Sequence, residues 1–155
     1  MEKAVSGEVD RQQDSDVNGF SAEALLRLPV RLLGIELGFP VDIVLDPDGR
    51  RALGFVVLCK DEEQRFLPMT VAQIADGEIT VPSALALLAE DELGFYRTHA
   101  STMRLLRGKI VRRSGTDVGH LEDVIVSRDG SVAELVVANG NGLERLRIDD
   151  ALALS

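Results

Sequence analysis

The sequence predicts a mainly β protein built from two copies of one strand-rich unit, with short helices between them. Three observations lead there. Short Val- and Ile-rich runs alternate with Gly, Asp-Gly and Asn-Gly turn signals. A Gly-x-x-x-Gly spacing recurs ahead of such a run, at Gly34 and Gly38 and again at Gly115 and Gly119. The chain also matches itself when residues 30 to 49 are laid on 111 to 130, an offset of 81.

Taken in order, residues 1 to 20 are polar and acidic with no apolar period, which predicts a disordered tail. "SAEALLRL" predicts a short helix capped by Ser21 and stopped at Pro29. "FPVDIVLDPDGRRALGFVVL" is two apolar runs around Asp-Pro-Asp-Gly, hence strand, tight turn, strand, and "QRFLPM" is a further short strand. In "TVAQIADG", Thr70 and Gln73 have capping-box spacing and Gly77 is a stop signal, which predicts a helix. "EITVP" is extended, and "SALALLAEDELGFY" predicts a helix capped by Ser83. The strand pattern then returns in "GKIVRR", "HLEDVIVS", "VAELVVA" and "LERLRI", and "DDALALS" predicts one capped turn of helix. "NGNG" at 139 to 142 predicts a hairpin turn, since Asn-Gly supplies the positive φ angles that two-residue turns need.

In the self-match Val30 falls on Val111, Arg31 on Arg112, Asp42 on Asp123, Asp48 on Asp129 and Gly49 on Gly130. After one deletion the offset becomes 80: Val56 and Val57 fall on Val136 and Val137, Arg65 on Arg145, and Thr70 on Asp150. The predicted organisation is an acidic tail over 1 to 20, a first repeat with its helical linker over 21 to 97, and a second repeat over 98 to 155.

The second repeat, "LRGKIVRRSGTDVGHLEDVIVSRDGSVAELVV", resembles the PRC-barrel domain, the β-barrel module of the photosynthetic reaction-centre H subunit and of the RimM-type ribosome-maturation factor. Gly108, Val118, Gly119, Asp123, Gly130 and the run Leu135 to Val137 carry the likeness, which covers about 50 residues; the first repeat matches more weakly. The resemblance implies two small β-barrels with short connecting helices, a scaffold or protein-interaction role, and no family-wide catalytic residues.

Composition narrows the function. The chain has 26 acidic and 17 basic residues and a net charge of −9, the wrong sign for a protein that relies on phosphate contacts, so nucleic acid is not the expected partner. Residues 98 to 155 hold eight charges of each sign, so the imbalance lies in the tail and first repeat. Within the second repeat Arg104, Arg107, Lys109, Arg112 and Arg113 cluster around its first strand. They are solubilising flanks of a strand edge, or they face the acidic first repeat, or they form a candidate docking patch for an acidic partner.

The titratable residues do not assemble into a catalytic set. Cys59 reads as a small buried hydrophobe, and His99 and His120 as linker and turn residues. Asp149 and Asp150 read as a helix cap and "DEEQ" at 61 to 64 as a solvated turn. Gly34, Gly38, Asp42, Gly49, Gly115, Gly119, Asp123 and Gly130 read as turn and strand-start residues with structural roles; in each Gly-x-x-x-Gly the first glycine can take a turn's positive φ, and the second, Gly38 or Gly119, can allow close backbone approach or a bend. No catalytic, cofactor or metal site is expected.

No apolar run approaches a membrane span, and the N-terminus lacks the order of a signal peptide, so a cytoplasmic location is expected. The expected function is a non-enzymatic interaction module with a protein partner or a second copy of itself. The alternatives are a ribosome- or RNA-maturation accessory and a small hydrolase or ligand-binding protein.

Overall fold

The computed structural model describes residues 19–89, 94 and 100–155. The acidic tail up to residue 18, His99 and most of the second part of the helix expected from Ser83 lie outside them. The described chain is mainly β, arranged as two sheets. Among the described residues no helix is long and apolar enough to cross a membrane.

The first sheet contains β2 (Val30–Leu32), β3 (Ile35–Leu45), β4 (Ala52–Cys59), β5 (Gln64–Pro68), β6 (Gln73–Ala75) and β7 (Glu78–Thr80), in the order β5-β4-β3-β2-β7-β6. The second contains β9 (Ile110–Arg113), β10 (Thr116–Val126), β11 (Val132–Asn139), β12 (Gly142–Arg147) and β13 (Leu152–Leu154), in the order β12-β11-β10-β9-β13. Two short lead segments complete them. β1 (Phe20–Ser21) runs into helix α1 (Ala22–Leu25), and β8 (Ser101–Thr102) into helix α2 (Met103–Leu106).

Each lead segment joins the sheet that does not follow it in the chain. β1 pairs with β10 of the second sheet, Phe20 opposite Val126 and Ser21 opposite Ile125. β8 pairs with β3 of the first, Ser101 opposite Leu45 and Thr102 opposite Val44. All four positions of the one pairing lie 81 residues from their counterparts in the other. The halves also meet directly. Ala52 N donates to Gly130 O at 2.7 Å, Val132 N donates to Arg50 O at 3.0 Å, and Arg51 bridges to Ser131 between them. Those contacts are reciprocal, as across a local two-fold axis.

This exchange explains a difference from expectation: the sheets are open paths rather than barrels, with no pairing that joins β5 to β6 or β12 to β13 among the described residues. β3 and β10 are long strands bent at matching irregularities, between Pro40 and Asp42 and between Leu121 and Asp123. The first part of each pairs within its own sheet, with β2 or β9. The second part is occupied on that side by the lead strand of the other half, so the sheet does not close there.

Packing unites the halves. One hydrophobic core contains Leu25, Ile43, Phe55, Leu67 and Ile79 together with Leu106, Val124, Leu135 and Val137. Lead-helix residues Ala22, Leu25, Met103 and Leu106 are all buried. Burying one such leucine contributes roughly 1.5–3 kcal/mol. Phe55 and Phe66 are the largest fully buried side chains: Phe55 anchors this otherwise aliphatic core, and Phe66 packs in a second, small cluster with Val44 and Val56.

Three local expectations are corrected. "TVAQIADG" forms no helix: Gln73–Ala75 is β6, hairpinned onto β7. "DDALALS" forms no helical turn: Leu152–Leu154 is β13, paired with Val111, Arg112 and Arg113 of β9. Thr70 and Asp150 therefore cap no helix, although Asp149 Oδ1 accepts from Ala151 N at 2.9 Å in the turn before β13. Of the helix expected from Ser83, the first part is a 3-10 turn, Ala84–Ala86, followed by Leu88 paired with Phe66 in extended backbone; Gly94 is helical, and residues 90–93 and 95–96 lie outside the described residues. The register also shifts one correspondence: Val56 faces Phe66 whereas Val136 faces Arg145, so Arg145 occupies the position of Phe66 and not of Arg65. The turn between β11 and β12 is shorter than that between β4 and β5.

Candidate interaction surface

Asp42 and Asp123 stand at the bends of β3 and β10, where an irregular backbone aims a short carboxylate at nearby amides. Asp123 Oδ1 accepts from Ala22 N at 3.1 Å and from Val124 N at 2.8 Å, and its Oδ2 accepts from Glu23 N at 3.3 Å. Asp42 Oδ1 accepts from Ile43 N at 2.9 Å and from Arg104 N at 3.3 Å. Each carboxylate thus satisfies the open amides of the other half's lead helix, beside the helix's own caps: Ser21 accepts from Ala24 N and Thr102 from Leu105 N. Asp123 is buried, and burial pushes its carboxyl above the ordinary carboxylate range; three backbone amides and the Arg107 charge oppose that shift.

These carboxylates do not meet. Asp42 lines a cleft of about 510 Å³ with Val41, Val56, Arg104 and Leu105. Asp123 lines another of about 450 Å³ with Leu26, Arg107, Val136 and Leu143. His120 lines neither: it lies on β10 opposite Ala138 on one side and Ile110 on the other. Among the described residues no group of three or more His, Cys, Asp or Glu side chains is placed to hold a metal ion.

The basic residues near β9 are likewise divided. Arg104 and Arg107 line the two different clefts, and Arg107 Nε donates to Glu122 O at 3.0 Å. Arg112 and Arg113 are neighbours on β9, so their side chains leave opposite faces of the sheet. Arg112 Nε pairs with Asp117 at 2.6 Å, and its Nη1 donates to Ser155 Oγ; Arg113 lies 3.8 Å from Asp149. Lys109 is exposed in the turn before β9. The structure does not gather the five into one face. Asp61 lies in the exposed turn between β4 and β5, where a two-pronged pair with Arg65, at 3.0 and 2.8 Å, lowers its carboxyl to about 2. Cys59 is buried.

Gly34, Gly49, Gly115 and Gly130 all have positive φ in turns. Gly119 is more constrained. Its φ is 145°, and a Cβ there would overlap the Val137 side chain and the Ala138 carbonyl oxygen. Gly38, its counterpart, has the Leu58 carbonyl oxygen in the same place.

A surface feature that the sequence pattern does not reveal is a broken strip of exposed large apolar residues at the start of β3, in which the irregularity between Glu36 and Gly38 turns Ile35 to the other face of the strand from the facing pair Phe39 and Leu58. Leu33, in the β2–β3 turn, is 92% exposed, Ile35 66%, Phe39 43%, and Leu58, directly opposite Phe39 on β4, 42%. The positions that correspond in the second half are Ser114, Thr116, His120 and Ala138. The same backbone is therefore made there without a large apolar side chain at any of the four. Comparing the halves position by position is the signal that finds the strip. Two further exposed leucines, Leu105 and Leu143, rim the clefts.

Compared with known proteins, the chain matches no family model and no curated protein.

Proposed function

We propose that this protein is a non-enzymatic interaction or scaffold module of the PRC-barrel type, made of two copies of one unit, and that its first copy carries the docking surface. The observation that carries this reading is the asymmetry of the strip. Leu33, Ile35, Phe39 and Leu58 are exposed, whereas the second half builds the matching backbone with Ser, Thr, His and Ala. Folding does not require these apolar side chains, and leaving them in water is unfavourable. Adjoining exposed apolar side chains, as Phe39 and Leu58 are across β3 and β4, mark contacts with another macromolecule. The partner is a protein with a complementary apolar surface. The net charge of −9 and the dispersal of the basic residues argue against a nucleic-acid role.

The test uses the second half as its own design guide. Leu33→Ser, Ile35→Thr, Phe39→His and Leu58→Ala together install residues that the equivalent backbone already tolerates. The immobilised wild-type chain should capture a specific protein from extract of its native cell, identified by mass spectrometry. The fourfold variant should lose that capture while retaining its melting temperature. Equal capture by both chains would remove the strip from the reading.

A further inference from the structure

We propose that the β1–α1 arm is exchangeable, so that the slot it fills on the second sheet also accepts the same arm from a second copy of the chain. This deepens the module reading and rests on it, since it names one partner and the surface that receives it.

The arm is compact and its contacts are specific. Ser21 and Phe20 pair with Ile125 and Val126 at the free side of β10. Ala22 and Glu23 give their amide protons to Asp123. Ala22 and Leu25 enter the core, and the Arg128 guanidinium lies 5.1 Å from the centre of the Phe20 ring. Only the short connection Leu26 to Pro29 joins this arm to β2 of the first sheet, because Pro29 O already accepts from Ile79 N there. The arm therefore docks on a body other than the one it leads into.

That topology is what arm exchange needs. An empty slot would expose Asp123 and the apolar faces of Ile125 and Val136, so it is always better filled. A second copy's arm makes every contact the chain's own arm makes, and only the path of the connection differs. The equivalent slot on the first sheet shows that the geometry recurs: β8 and α2 occupy it with Thr102, Met103 and Leu106 in place of Ser21, Ala22 and Leu25. At low concentration the chain's own arm wins through proximity; at high concentration exchange yields a two-fold dimer at little cost.

The experiment uses the full chain carrying Cys59→Ala. One sample carries Ser21→Cys, another Ile125→Cys, and a third both. On oxidation the double variant should close its disulfide within one chain. The two single variants, unfolded together and refolded at rising concentration, should form a mixed disulfide dimer whose share grows with concentration. Phe20→Cys with Val126→Cys repeats the measurement at the neighbouring pair if Ile125→Cys does not fold. Closure in the double variant without any mixed dimer overturns the exchange; failure of the double variant to close overturns the slot itself. Either failure leaves the module reading standing if the apolar strip still captures a partner, and loss of capture with exchange intact separates the two in the other direction.

Discussion

Gly119 shows how far a single position can decide the backbone. The sequence spacing marks it as the glycine that allows close backbone approach or a bend, and its φ of 145° and the proximity of Val137 and Ala138 place it inside a paired strand pressed against its neighbour. A side chain there is opposed twice, by the φ angle and by overlap. Gly119→Val should destabilise the chain by roughly 1–3 kcal/mol, which thermal melting should register as a drop of roughly 2–4 °C for each kcal/mol. An unchanged melting curve would contradict the close approach. The carboxylates give a second residue-scale expectation. Acidification followed by carboxyl NMR should protonate Asp123 above the ordinary value of 3.8 and Asp61 near 2. The signs differ. Asp61 supports the fold above 3.8, and that support is lost as pH falls through about 2. Asp123 favours the fold while protonated, below 3.8, and that advantage is lost as pH rises through its raised value. Titration of both within the ordinary range would contradict these environments.

At the scale of elements, legibility followed the length and punctuation of each segment. β3 and β4 were readable because two long apolar runs flank Asp-Pro-Asp-Gly, and the β11–β12 hairpin because Asn139 and Gly142 bracket a two-residue turn. β6 and β13 were not, because each is three residues long and its local signals favour a capped helix. Pairing with β7 and β9 decides their backbone, and no local pattern contains that information. The basic cluster shows the same dependence on pairing. Five cations within ten residues look like one patch, yet strand alternation and the placement of α2 disperse them. Reversing Arg107, Arg112 and Arg113 to Glu should therefore act on stability, through Asp117 and Asp149, by about 0.5 kcal/mol for each exposed pair. Partner capture should survive the change. Loss of capture with an unchanged melting curve would restore these arginines as a docking patch.

For the whole molecule, the relation between the halves matters more than either half. The offset of 81 residues was visible in the sequence, but the exchange of lead segments was not, because a repeat match records likeness and says nothing of which copy a segment packs on. The exchange places α1 under Asp123 and α2 under Asp42, and it leaves both sheets open. It also supplies the internal control that exposes the apolar strip. In a single sequence Ile35 and Phe39 look like ordinary strand residues bound for the core; against Thr116 and His120 they stand out as additions that the backbone does not need. The measurement that tests this most directly is a binding titration of the captured partner against the wild-type chain and against the variant Leu33→Ser, Ile35→Thr, Phe39→His, Leu58→Ala, with thermal melting of both. The account predicts affinity weakened by at least about tenfold, equivalent to roughly 1.4 kcal/mol, at an unchanged melting temperature. Equal affinity in a folded variant would contradict it.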